Sequence, residues 1–134
     1  MTKYLLDTDI CIYIAKQKPG HILARFDRMH PGDVGMSVVT YLELMYGAAK
    51  SRQVQANLAT IEQLAHLIPV QPLDTAAGTH YGKLRTDLDL RGSPIGAYDL
   101  LIAAHALTLE LIMVTNNTRE FRRVKGLRLE NWAE

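Results

Sequence analysis

Cysteine is almost absent from this chain. Cys11 stands alone among 134 residues, so no disulfide can form within the chain. A reducing compartment such as the cytoplasm is expected. Neither sign of charge is in excess: 15 Lys and Arg face 14 Asp and Glu, for a formal net charge of +1. That balance argues against an acidic tail or a strongly basic wrapper of nucleic acid. No run approaches the roughly 20 apolar residues of a membrane span. The opening Tyr4-Leu5-Leu6 is cut short by Asp7 and Asp9, which does not suit a signal peptide. The histidines at 21, 30, 66, 80 and 105 lack zinc-ligand spacing. There is no glycine-rich phosphate loop and no serine on a nucleophile elbow. Secreted, membrane-bound and disulfide-framework classes are thereby set aside.

What is present is enough apolar residue, 48% against 22% charged, to build a core. One domain over residues 1–134 is expected. Tyr4-Leu5-Leu6 reads as a short buried strand. Helices follow over 9–17, capped by Thr8 or Asp9, and over 20–29, with Ile22, Leu23, Phe26 and Met29 on one face. A second strand covers Val34 to Ser37. The helix 38–49 carries an apolar stripe of Val39, Leu42, Tyr46 and Ala49, expected to be buried. Another helix covers 52–66, then a brief strand 67–70, then a helix capped by Asp74 and running to Leu90. Residues 97–109 are apolar almost all round, which predicts a central buried helix. A strand at 111–115, a polar helical turn at 118–123 and an edge strand at 127–129 complete the chain. Short apolar strands separated by helices predict an α/β sandwich with a mostly parallel sheet. Ligands of such sheets bind beyond the strands' carboxyl ends, where strand order reverses.

Three acids sit in apolar company. Asp7 ends the first strand. Glu43 lies between Leu42 and Leu44, about 40° around the helix from Val39. Asp99 opens the most apolar helix, before Leu100-Leu101-Ile102-Ala103-Ala104. Each has an ordinary explanation: Asp7 as a helix cap, Glu43 paired with an arginine, Asp99 favouring its helix's positive end. Jointly they ask for a shared counter-charge, because a buried carboxylate must pair, protonate or bind a metal. No Lys or Arg interrupts those elements. An all-oxygen ligand set suits Mg²⁺ or Mn²⁺, and hydrolysis of a phosphodiester is the natural use of such an ion.

A polar cluster, Thr115-Asn116-Asn117-Thr118-Arg119-Glu120, follows the strand 111–115 and offers oxygens for water or phosphate, although turn chemistry alone would favour such residues. Beside it lies a basic patch of Arg119, Arg122, Arg123, Lys125 and Arg128, to which Lys83, Arg85 and Arg91 can add. It is a candidate receiver of RNA phosphates, or else a solvated face.

At these residues the sequence resembles the PIN-domain proteins, and among them the VapC toxins of type II toxin–antitoxin modules. The resemblance is carried in order by Tyr4-Leu5-Leu6-Asp7-Thr8-Asp9, by Ser37-Val38-Val39-Thr40-Tyr41-Leu42-Glu43-Leu44, by Pro94-Ile95-Gly96-Ala97-Tyr98-Asp99-Leu100-Leu101, and by Val114-Thr115-Asn116-Asn117-Thr118-Arg119-Glu120-Phe121. It implies a three-layer α/β/α sandwich and a Mg²⁺- or Mn²⁺-dependent endoribonuclease. Asp7, Glu43 and Asp99 match the family's acidic triad. The frequent fourth acid falls at Asn117, which brings no charge, and Glu120 one turn on is a substitute through water. Thr8 and Thr115 match supporting hydroxyl positions. The family also implies a homodimer, a VapB-type antitoxin that covers the cleft with a basic side chain, and promoter DNA bound only through that antitoxin. The RNA it implies is structured, a tRNA anticodon stem-loop and notably that of the initiator tRNA, whose loss inhibits translation.

The mechanism so implied has Asp7 and Asp99 directly on the metal, Glu43 binding the metal through water or orienting the attacking water, and Asn117 and Thr115 placing water or phosphate. In-line attack leaves a 5′-phosphate and a 3′-hydroxyl. Two rivals are a non-catalytic module that only binds an antitoxin and regulates transcription, and a haloacid-dehalogenase-type phosphatase. The phosphatase is suggested by Asp7-Thr8-Asp9, but no Gly-Thr follows directly and no later Asp-Asp pair occurs.

Overall fold

The computed structural model describes residues 1–132. The strands are β1 (Tyr4–Leu6), β2 (Val34–Ser37), β3 (Val70–Gln71), β4 (Ile112–Val114) and β5 (Leu129–Glu130). They form one sheet in the order β3-β2-β1-β4-β5, with every pairing parallel. The helices are α1 (Thr8–Ala15), α2 (Gly20–Asp27), α3 (Val38–Ala49), α4 (Val54–Leu67), α5 (Ala77–Leu90), α6 (Ala97–Leu109) and α7 (Thr118–Phe121).

Period-two alternation sends the strand residues into two cores. Leu5 pairs with Met113 and packs with it against Leu84, Leu88 and Ile102 of α5 and α6. Leu6 pairs with Val114, and with Val34 and Met36 it faces Ile10, Ile14, Ile22 and Leu64 of α1, α2 and α4. Helices on both faces give the expected three-layer sandwich. Each large side chain so buried contributes roughly 1.5–3 kcal/mol. Gly35, opposite Leu5, allows a close approach: a Cβ there would come within 3.1 Å of the Gln71 side chain and the Pro69 carbonyl.

From β1 the chain moves outward through β2 and β3, then crosses back to β4 and β5 on the other side. Strand order therefore reverses at the carboxyl end of β1. Asp7 follows β1 there, Thr115 follows β4, and α3 starts directly after β2.

Several expectations need correction. Asp7 itself caps α1, accepting from the Thr8 N–H, so the helix starts at Thr8. The third strand is not 67–70 but Val70–Gln71, because α4 extends through Leu67 and the Ile68 N–H still bonds back to Leu64. Asp74 caps a preliminary turn through the Ala76 N–H, and α5 begins at Ala77. The last strand is Leu129–Glu130. The turn at 118–123 is not simply polar, since Phe121 is fully buried. The largest departure is α3. Val39 is buried, but Leu42 and Tyr46 are 60% and 66% exposed, so that stripe faces outward. Among the described residues no helix is long and apolar enough to cross a membrane.

Candidate active site

Asp7 is fixed from three sides. Its own N–H donates to the Val114 carbonyl at 2.8 Å, its Oδ1 accepts from the Thr8 N–H at 2.8 Å, and its Oδ2 accepts from the Thr115 hydroxyl at 2.8 Å. The carboxylate is thus held between the central strand and its β4 neighbour, 6% exposed. Burial is the main cause that lifts its pKa from 3.8 to about 7; Asp9 adds repulsion, the bonds from Thr115 and Thr8 oppose the shift, and Glu43 adds a little more.

Glu43, one and a half turns into α3, reaches back over the start of α1. Its Oε1 accepts from the Thr8 hydroxyl at 2.9 Å, and that hydroxyl also shares a bond with Thr40 at 3.1 Å. Thr8 therefore serves two acids, Asp7 through its backbone and Glu43 through its side chain.

Asp99 enters from the first turn of α6, and Glu120 of α7 meets it. The Asp99 pKa rises from 3.8 to about 8, first through burial, then through a hydrogen bond with Glu120, then through repulsion by Glu120, Asp7 and Glu43. Glu120 is set by two donors, the Gly96 N–H to Oε1 at 2.9 Å and the Asn117 amide to Oε2 at 2.6 Å. A Cβ at Gly96 would lie in ordinary van der Waals contact with the Asp99 carboxylate, 3.4 Å away.

The three acids expected from the sequence are therefore brought within electrostatic reach of one another, and Glu120 joins them. Asp9, which sequence reasoning did not place in the site, stands beside Asp7 and accepts from the Asn116 N–H at 3.1 Å. Burial raises its pKa as well. Its partner lies 107 residues away, and no local signal announces that contact. Asn117 and Thr115 occupy other tasks than the expected contact with water or phosphate. The Thr115 hydroxyl is committed to Asp7, its Oγ accepts from the Asn117 N–H at 3.0 Å, and the Asn117 side chain is committed to Glu120.

Among the described residues no Lys or Arg forms an ion pair with these acids; the ion pairs are Arg25–Glu130, Arg91–Asp87 and Lys125–Asp87, none of them at this cluster. Nor do three carboxylates yet form a closed ligand set for one ion among those residues. Like charges in a buried site repel, and a divalent ion would draw them together. The all-oxygen donors and the raised pKa values of Asp7 and Asp99 fit Mg²⁺ or Mn²⁺.

The basic patch is divided. The Arg123 guanidinium donates to the Pro94 carbonyl at 3.0 Å, and the Arg91 guanidinium donates to the Arg123 carbonyl. Arg128 donates to the Glu110 carbonyl at 2.7 Å, and Lys125 lies 3.5 Å from Asp87. These side chains brace the loops around α6. Arg119 and Arg122 are exposed at α7, directly beside Glu120. On the other flank, Leu42 and Tyr46 of α3 and Tyr98 of α6, 61% exposed, form an apolar wall together with Val39 and Leu101.

Comparison with known proteins identifies the family and the fold. A family profile described as PIN domain matches residues 4–127. A tRNA(fMet)-specific endonuclease VapC of Shigella flexneri is 48% identical over 99% of this chain and 100% of its own length. A protein of the same description from Salmonella typhimurium is 43% identical over the same shares. Among solved structures, VapBC-1 of nontypeable Haemophilus influenzae superposes with a TM-score of 0.92 at 37% identity, covering 99% of this chain and 100% of that one. DNA-bound VapBC of Salmonella typhimurium also gives 0.92, at 43% identity, covering 98% and 99%.

Proposed function

The chain belongs to the PIN-domain family and, within it, to the VapC ribonucleases of type II toxin–antitoxin modules; from that premise we propose that it cleaves RNA hydrolytically with a divalent cation held by Asp7, Asp99 and Glu43. The observation that carries this reading is an acidic cluster, Asp7 buried and Glu43, Asp99 and Glu120 half-buried, with no Lys or Arg paired to it, in which Asp7 and Asp99 resist ionisation up to about pH 7 and 8. A bound Mg²⁺ or Mn²⁺ supplies charge neutralisation at the phosphoryl oxygens and a more acidic water.

The protein's own groups do the rest. Thr115 and the Thr8 N–H fix the Asp7 carboxylate, and the Thr8 hydroxyl aims Glu43. Glu43 orients the attacking water and accepts its proton. Glu120, held by Gly96 and Asn117, restores the negative charge that Asn117 lacks and hydrogen-bonds with Asp99. In-line attack on phosphorus breaks the bond to the 3′ oxygen, leaving a 3′-hydroxyl and a 5′-phosphate, without the ribose 2′-hydroxyl. Arg119 and Arg122 meet the RNA backbone.

The substrate we assign is a tRNA, the initiator tRNA first, on the strength of relatives 43–48% identical along their whole lengths that bear that specificity in their names. Its cleavage inhibits translation. The partner is a VapB-type antitoxin, supported by similarity to the VapBC complexes and by the apolar wall beside the acids, onto which a basic side chain of the partner can be delivered. Promoter DNA is reached through the antitoxin, and the toxin is a homodimer.

Purified protein, initiator tRNA and Mg²⁺ test the reading. Cleavage that stops with EDTA, leaves 5′-phosphate ends and disappears with Asp7→Asn is expected. A 2′,3′-cyclic phosphate, or cutting that survives EDTA, would refute it. Absence of any cleavage would favour the non-catalytic antitoxin-binding module.

A further inference from the structure

The chemistry above draws on carboxylates and leaves two buried titratable side chains unused, Cys11 and His105. His105 sits in the middle of α6, 1% exposed, the one polar residue in its run of buried positions. Its Nδ1 lies 2.8 Å from the Ser37 hydroxyl, itself fully buried. The Ser37 Oγ already accepts from the Val39 N–H at 3.1 Å as the cap of α3. The hydroxyl proton can therefore point at Nδ1, and the Pro72 carbonyl beside the ring favours the imidazole proton on Nε2. Burial depresses the imidazole pKa, with the Pro72 carbonyl opposing, so the ring is neutral. Nε2 nevertheless closes no hydrogen bond in ordinary geometry.

An unsatisfied buried N–H is costly, and a leucine here would avoid it. The histidine is better explained by where its one good bond lies. Ser37 precedes Glu43 by six residues, and His105 follows Asp99 by six. At 1.5 Å per helical residue, each acid stands about 9 Å along its helix from the same link. Among the described residues no other side-chain hydrogen bond ties α6 to the β2–α3 corner. The two acids it separates act on each other across the site.

We infer that the His105–Ser37 hydrogen bond is a positioning clamp: it sets the spacing of α3 and α6, hence of Glu43 and Asp99, and so tunes the affinity of the acidic site for its cation. This rests on the cation-binding reading of that site. His105 touches no reacting atom and is a positioning residue.

The test is Mn²⁺ binding, followed by electron paramagnetic resonance, in wild type, His105→Leu, Ser37→Ala and the double variant, each well below its Tm. The double variant replaces both polar partners with apolar groups but also removes the α3 cap, so its Tm should fall only by the few degrees that a lost cap costs. Its Mn²⁺ affinity should nevertheless fall about 10-fold, and each single variant should lose as much as the double. The imidazole ¹⁵N spectrum of wild type should show the Nε2–H tautomer. The same loss of Mn²⁺ affinity in His105→Leu, which keeps the Ser37 cap of α3, is not what loss of the cap alone would give. Wild-type affinity within twofold in the double variant would overturn the clamp. Should His105→Leu fail to fold, His105→Met, which also keeps the α3 cap, decides by the same criterion. If wild type binds no Mn²⁺, the cation site itself fails and the clamp falls with it; if wild type binds and the variants bind equally, only the clamp falls.

Discussion

At the scale of single residues, Asp7 and Asp99 give the molecule a signature in pH. Their ordinary value of 3.8 is raised to about 7 and about 8 in the folded, cation-free protein. The folded chain then binds more protons than the unfolded one through that interval, so the stabilisation is full below pH 3.8 and is lost as pH rises through 7 and 8. With EDTA present, the Tm should fall from pH 5 to pH 8.5; saturating Mg²⁺ should raise Tm far more at pH 8.5 than at pH 5. Equal Mg²⁺ stabilisation at both pH values would count against cation binding at these carboxylates. Asp7→Asn should cut RNA cleavage by at least about 100-fold, while leaving the EDTA-treated protein no less stable at pH 8.5 in thermal melts. The three acids were legible in the sequence because each interrupts an apolar segment. Asp9 and Thr40 were not, because their partners arrive from 107 and 32 residues away. Glu120 was visible only as a substitute; its place beside Asp99 depends on the Gly96 N–H, which sequence spacing does not predict.

At the scale of elements, α3 is instructive. Helical period alone located its ends correctly, since the cap at Ser37 and the apolar spacing agree. The same period could not say which apolar face meets the core. Val39 packs inward, whereas Leu42 and Tyr46 look out beside the acids. An amphipathic pattern records that a face seeks apolar company, not whether the company is the same chain. Leu42→Asp and Tyr46→Asp should therefore change stability by no more than about 0.5 kcal/mol, yet abolish co-purification with a VapB-type antitoxin. Leu6→Ala, by contrast, empties part of the core between β1 and α1 and should cost about 2–5 kcal/mol in a denaturant titration. The third strand was misplaced for a related reason. Apolar residues 67–70 read equally well as a strand or as the last turn of a buried helix, and the α4 backbone bonds claim Leu67 and Ile68.

At the scale of the whole molecule, the parallel sheet and its reversal at β1 explain why residues from four distant segments meet. The expected α/β sandwich with its short parallel sheet matches what is seen, and alternating strands and helices were enough to read it. The near-neutral net charge leaves RNA contact to local fields. The patch read as continuous from 119 to 128 is partly spent on bracing, with Arg123 and Arg128 holding carbonyls. Arg119→Ala or Arg122→Ala should weaken tRNA binding and each lower the salt dependence of the binding constant by about one phosphate contact. Arg128→Ala should instead lower stability with little effect on the salt slope, as seen by binding titrations at several ionic strengths. The most direct measurement of the central claim is anomalous diffraction from a crystal equilibrated with Mn²⁺. A single strong peak within about 2.2 Å of oxygens from both Asp7 and Asp99, with Glu43 beside it, is the predicted result. Saturating Mn²⁺ with no peak between those carboxylates, in protein that still cleaves RNA, would contradict it.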